Sequence, residues 1–555
     1  LAAGPERAEA MRRIADLELA RSEEAAGRGE SADPRAAIAA YQAYLRDHAG
    51  APDTHRVLYQ LARAQDQGGD VEAALATLTR LVAGHPGSPH AAEAQFRRGE
   101  LLFSAARHAD AEAAFAQVLR AQPETHFHAR ALYMHGWSLF KRGRLEEALA
   151  SFFQVLDRRL GATEPGTVAA LTRADKELLE DTFRVTSLSL QNLQGAESIA
   201  AFVDGQPQRA AYEPRIHVEL AELHLKQQRV KDAADTLAAF ATRRPLHAQA
   251  PVLLSRVIGI HEGAGFETLA LQAKRDFVTR YGADSAFRKA NPDGWERAQP
   301  LVRTHLTELA RHHHALAQKQ RNADDAAEAV RWYRALLTAF PDDAGAPEAR
   351  FLLAELLFEQ RRWAEAAAEY EIVAYGGQAH PRAAEAGYAV LLAHARLEAD
   401  AADGAAWRRQ GATRALRFAD AFPTDARSGA VLADATDKLF ALGDGAQAAT
   451  VAQRLLALQP TPDAPSRRVA WTVLAHTAYD RGAFDEAERA YRERLALAPA
   501  GDTATAALHE RLAASIYKQG EAARGSGQLR DAVAHFERAA AQAGAGAVQP
   551  AARYD

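Results

Sequence analysis

Cysteine is absent from the 555 residues, which excludes disulfides, thiolate nucleophiles, thiolate zinc sites and iron–sulfur clusters. Long apolar runs are missing too. Nowhere do about 18 apolar residues follow one another, so no segment reads as a membrane span. A basic excess is also lacking: the net charge is −5, with both signs interspersed. Such a surface does not neutralise phosphates, and no nucleic acid is expected as a partner. There is no strand pattern, no Gly-rich phosphate loop, no His-Glu-x-x-His and no Gly-x-Ser-x-Gly. No catalytic residues and no cofactor are therefore expected, and the chain reads as a non-enzyme.

What is present is helical and repetitive, with 48% hydrophobic residues to bury. Stretches such as SPHAAEAQFRRGELLF (88–103), APEARFLLAELLF (346–358) and HPRAAEAGYAVLL (380–392) place proline just before or inside the start of an apolar periodic segment. Proline lacks the N–H that the first helical turn does not use, and it cannot continue a helix already running, so each copy announces a new helix. The last, QPAARYD (549–555), starts a helix and stops within two turns, so the natural chain is expected to continue. The first residues have neither an initiator Met nor an apolar signal core, and read as a processed or trimmed end.

Ala62, Gly99 and Gly136 occupy matching contexts 37 residues apart. Ala74, Ala111 and Ala148 follow each by 12, and Leu78, Phe115 and Phe152 come four later. Helix-compatible apolar spacing surrounds them, with turns at Gly68-Gly69 and Gly143. Each unit is thus two antiparallel helices, in which small residues allow close approach and a bulky one fills the gap. The fold class expected is all-α, an α-α superhelix of stacked pairs.

In this pattern the chain resembles the tetratricopeptide repeat, most fully at 470–499, where Trp471, Leu474, Ala475, Tyr479, Gly482, Ala487, Tyr491 and Pro499 fall near the family positions. The expected organisation is an N-terminal helix pair (1–54), regular repeats (55–160), degenerate pairs with one repeat-like unit (161–281), an irregular connection (282–300), repeats (301–397), an irregular link and helix (398–430), repeats (431–548) and a truncated helix (549–555). One continuous superhelix that bends near the irregular stretches is expected, with two separable lobes as the alternative.

Carrying the family's register over, the first helices line a concave groove. That places Tyr59, Phe96, Phe103, Tyr133, Trp137 and Phe140 in or near it, with Phe351 and Phe358 repeating the arrangement. Arg63, Glu100 and Arg130 interleave with them, as do Arg56 and Glu93. Two readings of these rings stay open: partner anchors with polar groups to set orientation, or packing between neighbouring first helices. His126, His128 and His135, and His305 with the triplet His312-His313-His314, read as surface and groove imidazoles. His305 and His312 share a helix face, but they lack the i, i+4 carboxylate-supported pattern of helical ligands, so no metal is assigned.

The resemblance implies partners that are other proteins, held as extended or helical segments. The turn Pro86-Gly87-Ser88-Pro89 is similar to those of tetratricopeptide proteins of the Gram-negative envelope: the barrel-assembly lipoprotein, the Tol-Pal coordinator and polysaccharide-export scaffolds. Expected from this are a periplasmic location, outer-membrane association through a part not shown, and envelope-assembly, Tol-Pal-like or secretion partners. A cytoplasmic regulator, or an array appended to a larger enzyme or membrane protein, are the alternatives.

Overall fold

Alanine and other good helix formers fill the segments between turns, and a computed structural model of the chain resolves them into helices throughout. The structure describes residues 4–29, 31, 33–121, 124–160, 171–399, 404–542 and 551–553. Among these there are helices and no strand. The chain divides into two compact units, Leu1–Val302 and Arg303–Asp555, and each is an α-α superhelix of stacked antiparallel pairs.

In the first unit the pairs are Pro5–Gly27 with Arg35–Asp47, Thr54–Gln67 with Val71–Gly84, Ala91–Ser104 with His108–Arg120, and His128–Lys141 with Leu145–Leu160. Arg173–Gln191 follows with the short Ala196–Val203 and a 3-10 turn Pro207–Ala211, then Glu213–Lys226 with Val230–Arg243 and Ala250–Gly263 with Glu267–Tyr281. The second unit continues the scheme from the later part of Pro292–Gln320, paired with Ala323–Ala339, through Ala346–Glu359 with Trp363–Tyr375, Ala383–Ala399 with Gly404–Ala421, and Ser428–Ala441 with Gly445–Leu456. Its last pairs are Ala464–Asp480 with Phe484–Ala496 and Thr505–Gly525 with Leu529–Gln542.

Close approach within a pair is visible atom by atom. A Cβ added to Gly99 would lie 2.6 Å from the ring of Phe115, one on Gly136 2.5 Å from Phe152, and one on Gly520 2.6 Å from Phe536. Where the bulky residue is the smaller Leu78, alanine occupies the matching position at Ala62, and both are buried. The turn inside a pair needs one left-handed residue. Glycine supplies it at Gly69 and Gly143, but Ala106, Gln228, Arg321 and Arg361 adopt φ of 51 to 61° in its place.

Turns between pairs share a second device. A side-chain acceptor takes the amide N–H two residues on: Ser88 from His90, Asp343 from Gly345, Asp425 from Arg427 and Asp502 from Ala504, at 2.8 to 3.0 Å. His247 and His380 do the same with a ring nitrogen. Ser88 in the Pro-x-Ser-Pro turn is one variant of this cap.

Residues 282–300, expected as an irregular connection, hold the short helix Ala286–Ala290 and the beginning of Pro292–Gln320. The turn-rich Asn291-Pro292-Asp293-Gly294 is a helix start: Asn291 accepts from the Gly294 N–H at 2.9 Å, and Pro292 takes the first helical position. Pro300 is then carried inside the helix. The stretch 398–430, expected as an irregular link and helix, holds the helix Gly404–Ala421 between Ala383–Ala399 and Ser428–Ala441, and residues 400–403 lie outside the described residues. So do the entry loop 161–170 and, at the end of the chain, 549–550 and 554–555. Residues 551–553 are helical, and Ala552 is buried against the cluster of Leu508, Leu512 and Ile516.

The departure from the repeat after Arg173–Gln191 is pinned to the helix Leu145–Leu160. Arg209 donates to Asp157 at 2.7 and 3.0 Å, Tyr212 donates to the same carboxylate, and the Arg209 guanidinium lies 4.8 Å from the Phe153 ring centroid. Phe153 and Phe202 stack at 5.2 Å beneath it.

Candidate functional site

Three of the rings expected in a groove are closed off. Tyr59, Phe96 and Phe351 are 5, 3 and 1% exposed, so they are corrected from partner-facing anchors to inter-pair packing. The same arrangement holds each one. A ring from the following turn stacks on it: His90 on Tyr59 at 4.8 Å, Phe127 on Phe96 at 5.2 Å and His380 on Phe351 at 5.9 Å. An arginine then lies against its edge or face, from the next first helix for Arg97 at 5.9 Å and Arg130 at 5.4 Å, and from the turn just before it for Arg382 at 3.6 Å. Arg97 also donates to the Tyr59 hydroxyl at 3.0 Å, and burial pushes that phenol up to about 12.

Phe103 and Phe358 are half-buried at the corners within their pairs, against His108 at 5.0 Å and Trp363 at 4.7 Å. Arg63 reaches back to Glu23 at 2.6 Å. These three therefore serve the array at least as much as any partner.

The remaining predicted residues converge on neighbouring first helices of the first unit. Tyr133, Trp137 and Phe140 are half-buried on His128–Lys141 and pack on Leu139, Phe152 and Val185. Trp137 and Phe140 meet edge to face at 5.4 Å. Tyr133 donates to Asp181, which also pairs with Arg184. The Trp137 ring has Lys141 at 5.8 Å and Arg184 at 6.0 Å from its centroid. One helix earlier, Glu100 faces the exposed Arg130 at 3.8 Å; burial raises the carboxyl of Glu100, with Arg130 and Arg97 opposing that rise.

Along this face, arginines pair back to acids on the preceding first helix: Arg56 to Asp16 at 3.4 Å, Arg63 to Glu23 at 2.6 Å, Arg130 to Glu100 at 3.8 Å, Arg215 to Glu180, and Arg256 to Glu222 at 2.6 Å. Asp181, Arg184, His90, Phe127 and Arg382 were not picked out by sequence reasoning. The signal for two of them was present, since Tyr59 to His90 and Phe96 to Phe127 are both 31 residues.

The histidines disperse. His305 Nδ1 lies 3.1 Å from Glu308, His312 is exposed, and the buried His313 and His314 turn to Asp325 at 2.8 Å and to the Tyr333 hydroxyl at 3.1 Å. His135 meets Ser151 at 3.0 Å, and the His126 ring lies beside Phe127. Among the described residues no three His, Asp or Glu side chains are placed to hold a metal ion, and no helix is long and apolar enough to cross a membrane.

The tetratricopeptide repeat family model matches residues 27–89, 59–126, 96–165 and 314–381. Over those residues the chain carries tetratricopeptide repeats, and such repeats point to a protein–protein interaction scaffold. The segment 470–499 lies outside the matched stretches, although it folds as the pair Ala464–Asp480 and Phe484–Ala496 with Ala475 and Tyr491 buried. No curated protein matches the chain.

Among solved structures, the chain is similar to a thermophilic TPR protein of Thermus thermophilus, at 20% identity over 37% of this chain and 98% of that one, TM-score 0.20. It is also similar to a tetratricopeptide repeat protein of Parabacteroides merdae, at 13% identity over 55% and 98%, TM-score 0.21. A third likeness is to the APC/C hetero-tetramer Cut9-Hcn1, at 14% identity over 98% and 95%, TM-score 0.21. At these scores the likenesses add nothing to the repeat assignment.

Proposed function

We propose that this chain, with tetratricopeptide repeats at residues 27–165 and 314–381, is a non-catalytic scaffold that holds segments of other proteins against the first-helix face of its first unit. The observation that carries this reading is the half-buried aromatic set Tyr133, Trp137 and Phe140 with charged neighbours Glu100, Arg130, Lys141 and Arg184. Large rigid rings with orienting polar groups are what interface hot spots use.

The setting we propose is a complex of the bacterial cell envelope, in the periplasm. Its support is the likeness of the Pro86-Gly87-Ser88-Pro89 turn to envelope arrays. Because the same cap is built on Asp343, Asp425 and Asp502 elsewhere in the chain, fractionation of the producing cell is the decisive test. Recovery in the cytosol would favour a regulator or adaptor there.

The binding reading is tested by affinity capture with the full chain, followed by cross-linking and mapping of the linked positions. Links should cluster on the helices Ala91–Ser104, His128–Lys141 and Arg173–Gln191. Links confined to second helices such as His108–Arg120 would move the site.

A further inference from the structure

The arginine ladder on the first-helix face changes character at one step. Glu100 and Trp137 are 37 residues apart and so occupy the same register position on successive first helices. Glu100 receives Arg130 from the next helix, whereas Trp137 receives Arg184. An indole thus stands where the preceding unit has the acid. The acid at this step, Asp181, belongs to the later helix and is engaged by Tyr133 and by Arg184.

The other carboxylates nearby are also occupied. Glu180 takes Arg215 and Glu177 takes Arg173. Lys141 is exposed beside the indole, with no carboxylate partner among the described residues. Beyond it an open depression of about 630 Å³ runs along Arg173–Gln191, lined by Arg173, Lys176, Glu177, Glu180, Asp181 and Arg184.

We propose that Trp137, Lys141 and Arg184 form a subsite for an acidic residue adjacent to an apolar one in an extended partner segment. This rests on the scaffold reading above and names the partner's chemistry. The apolar side chain lies on the indole and Phe140, and the carboxylate pairs with Lys141, while Arg184, already held by Asp181, supports the same ring. Charge complementarity selects the acid: at the ladder's closed steps an incoming carboxylate would have to displace one already paired, and here it meets an ammonium with none. A basic side chain laid on the indole would face the unpaired ammonium of Lys141 and is disfavoured.

The test uses the full chain and a bead-displayed library of short degenerate peptides. The wild type should enrich peptides with Asp or Glu beside Phe, Leu or Trp. Trp137→Glu places the acid of the preceding register beside Arg184, so it should weaken the best peptide about 30-fold while the chain keeps its helical circular-dichroism signal. Lys141→Ser, at an exposed position, should weaken it several-fold and flatten its salt dependence, and this variant carries the test if Trp137→Glu unfolds. Enriched peptides without an acid, or peptides that bind both variants as tightly as wild type, would overturn the proposal while leaving the scaffold reading standing. No enrichment at all by the wild type would sink both.

Discussion

A single methylene decides how closely two helices meet in this chain. Gly136 has the Phe152 ring within 2.5 Å of where its Cβ would be, so Gly136→Ala forces the ring or the helix aside. Overpacking of this kind costs about 1–3 kcal/mol. Adding Phe152→Leu reproduces the Ala62 and Leu78 combination of an earlier unit, so in urea unfolding the double variant should lose less than the sum of the two single losses. Strict additivity would contradict the size matching. Gln228 presents the opposite case: its φ of 61° is a conformation glycine adopts without penalty, and Gln228→Gly should raise stability by about 0.5–1 kcal/mol. A lower unfolding midpoint would show that the Gln228 side chain contributes more than its backbone strain costs.

At the scale of elements, the repeat was legible because two helices of fixed length must return their small and bulky residues at fixed intervals. The 37-residue spacing therefore gave the pairs directly. Asn291-Pro292-Asp293-Gly294 was not legible as a helix start, since the same residue types make turns and N-caps and only the continuation distinguishes them. The aromatic stripe was half legible. Seven-residue spacing puts Phe96 and Phe103 on one face, but whether a ring is buried depends on what the following turn lays over it. Phe127 covers Phe96, whereas among the described residues no loop ring stacks on Trp137. The Asp157 cluster belongs to this scale too, because it ties the irregular Ala196–Val203 and Pro207–Ala211 segment to a repeat helix. Asp157→Asn removes the charge that Arg209 and Tyr212 share, with an expected loss of about 2–3 kcal/mol. Hydrogen exchange should rise first in residues 196–212; uniform acceleration over the unit would argue against a local staple.

Across the whole molecule, histidine burial sets an acid limit. His135, His217, His224, His261, His314, His394 and His476 all have their protonation pushed below the ordinary 6.5, because burial withdraws water from the charged form. The unfolded chain therefore binds protons first as pH falls. Stability from these sites is complete above about 6.5 and is lost progressively below it. The urea midpoint should hold steady between pH 7 and 8 and drop on going from 6.5 to 5; a flat or rising midpoint in that lower window would mean the imidazoles are not held neutral.

The absence of cysteine makes the central claim directly measurable. A single thiol placed at Arg130 on a first helix, or at Gln117 on a second helix, both exposed positions, can be capped with a bulky maleimide and the captured partner titrated against each labelled chain. If the first-helix face is the binding surface, the label at 130 blocks partner binding and the label at 117 leaves it unchanged. Loss of binding only from 117, or from neither position, would contradict the account.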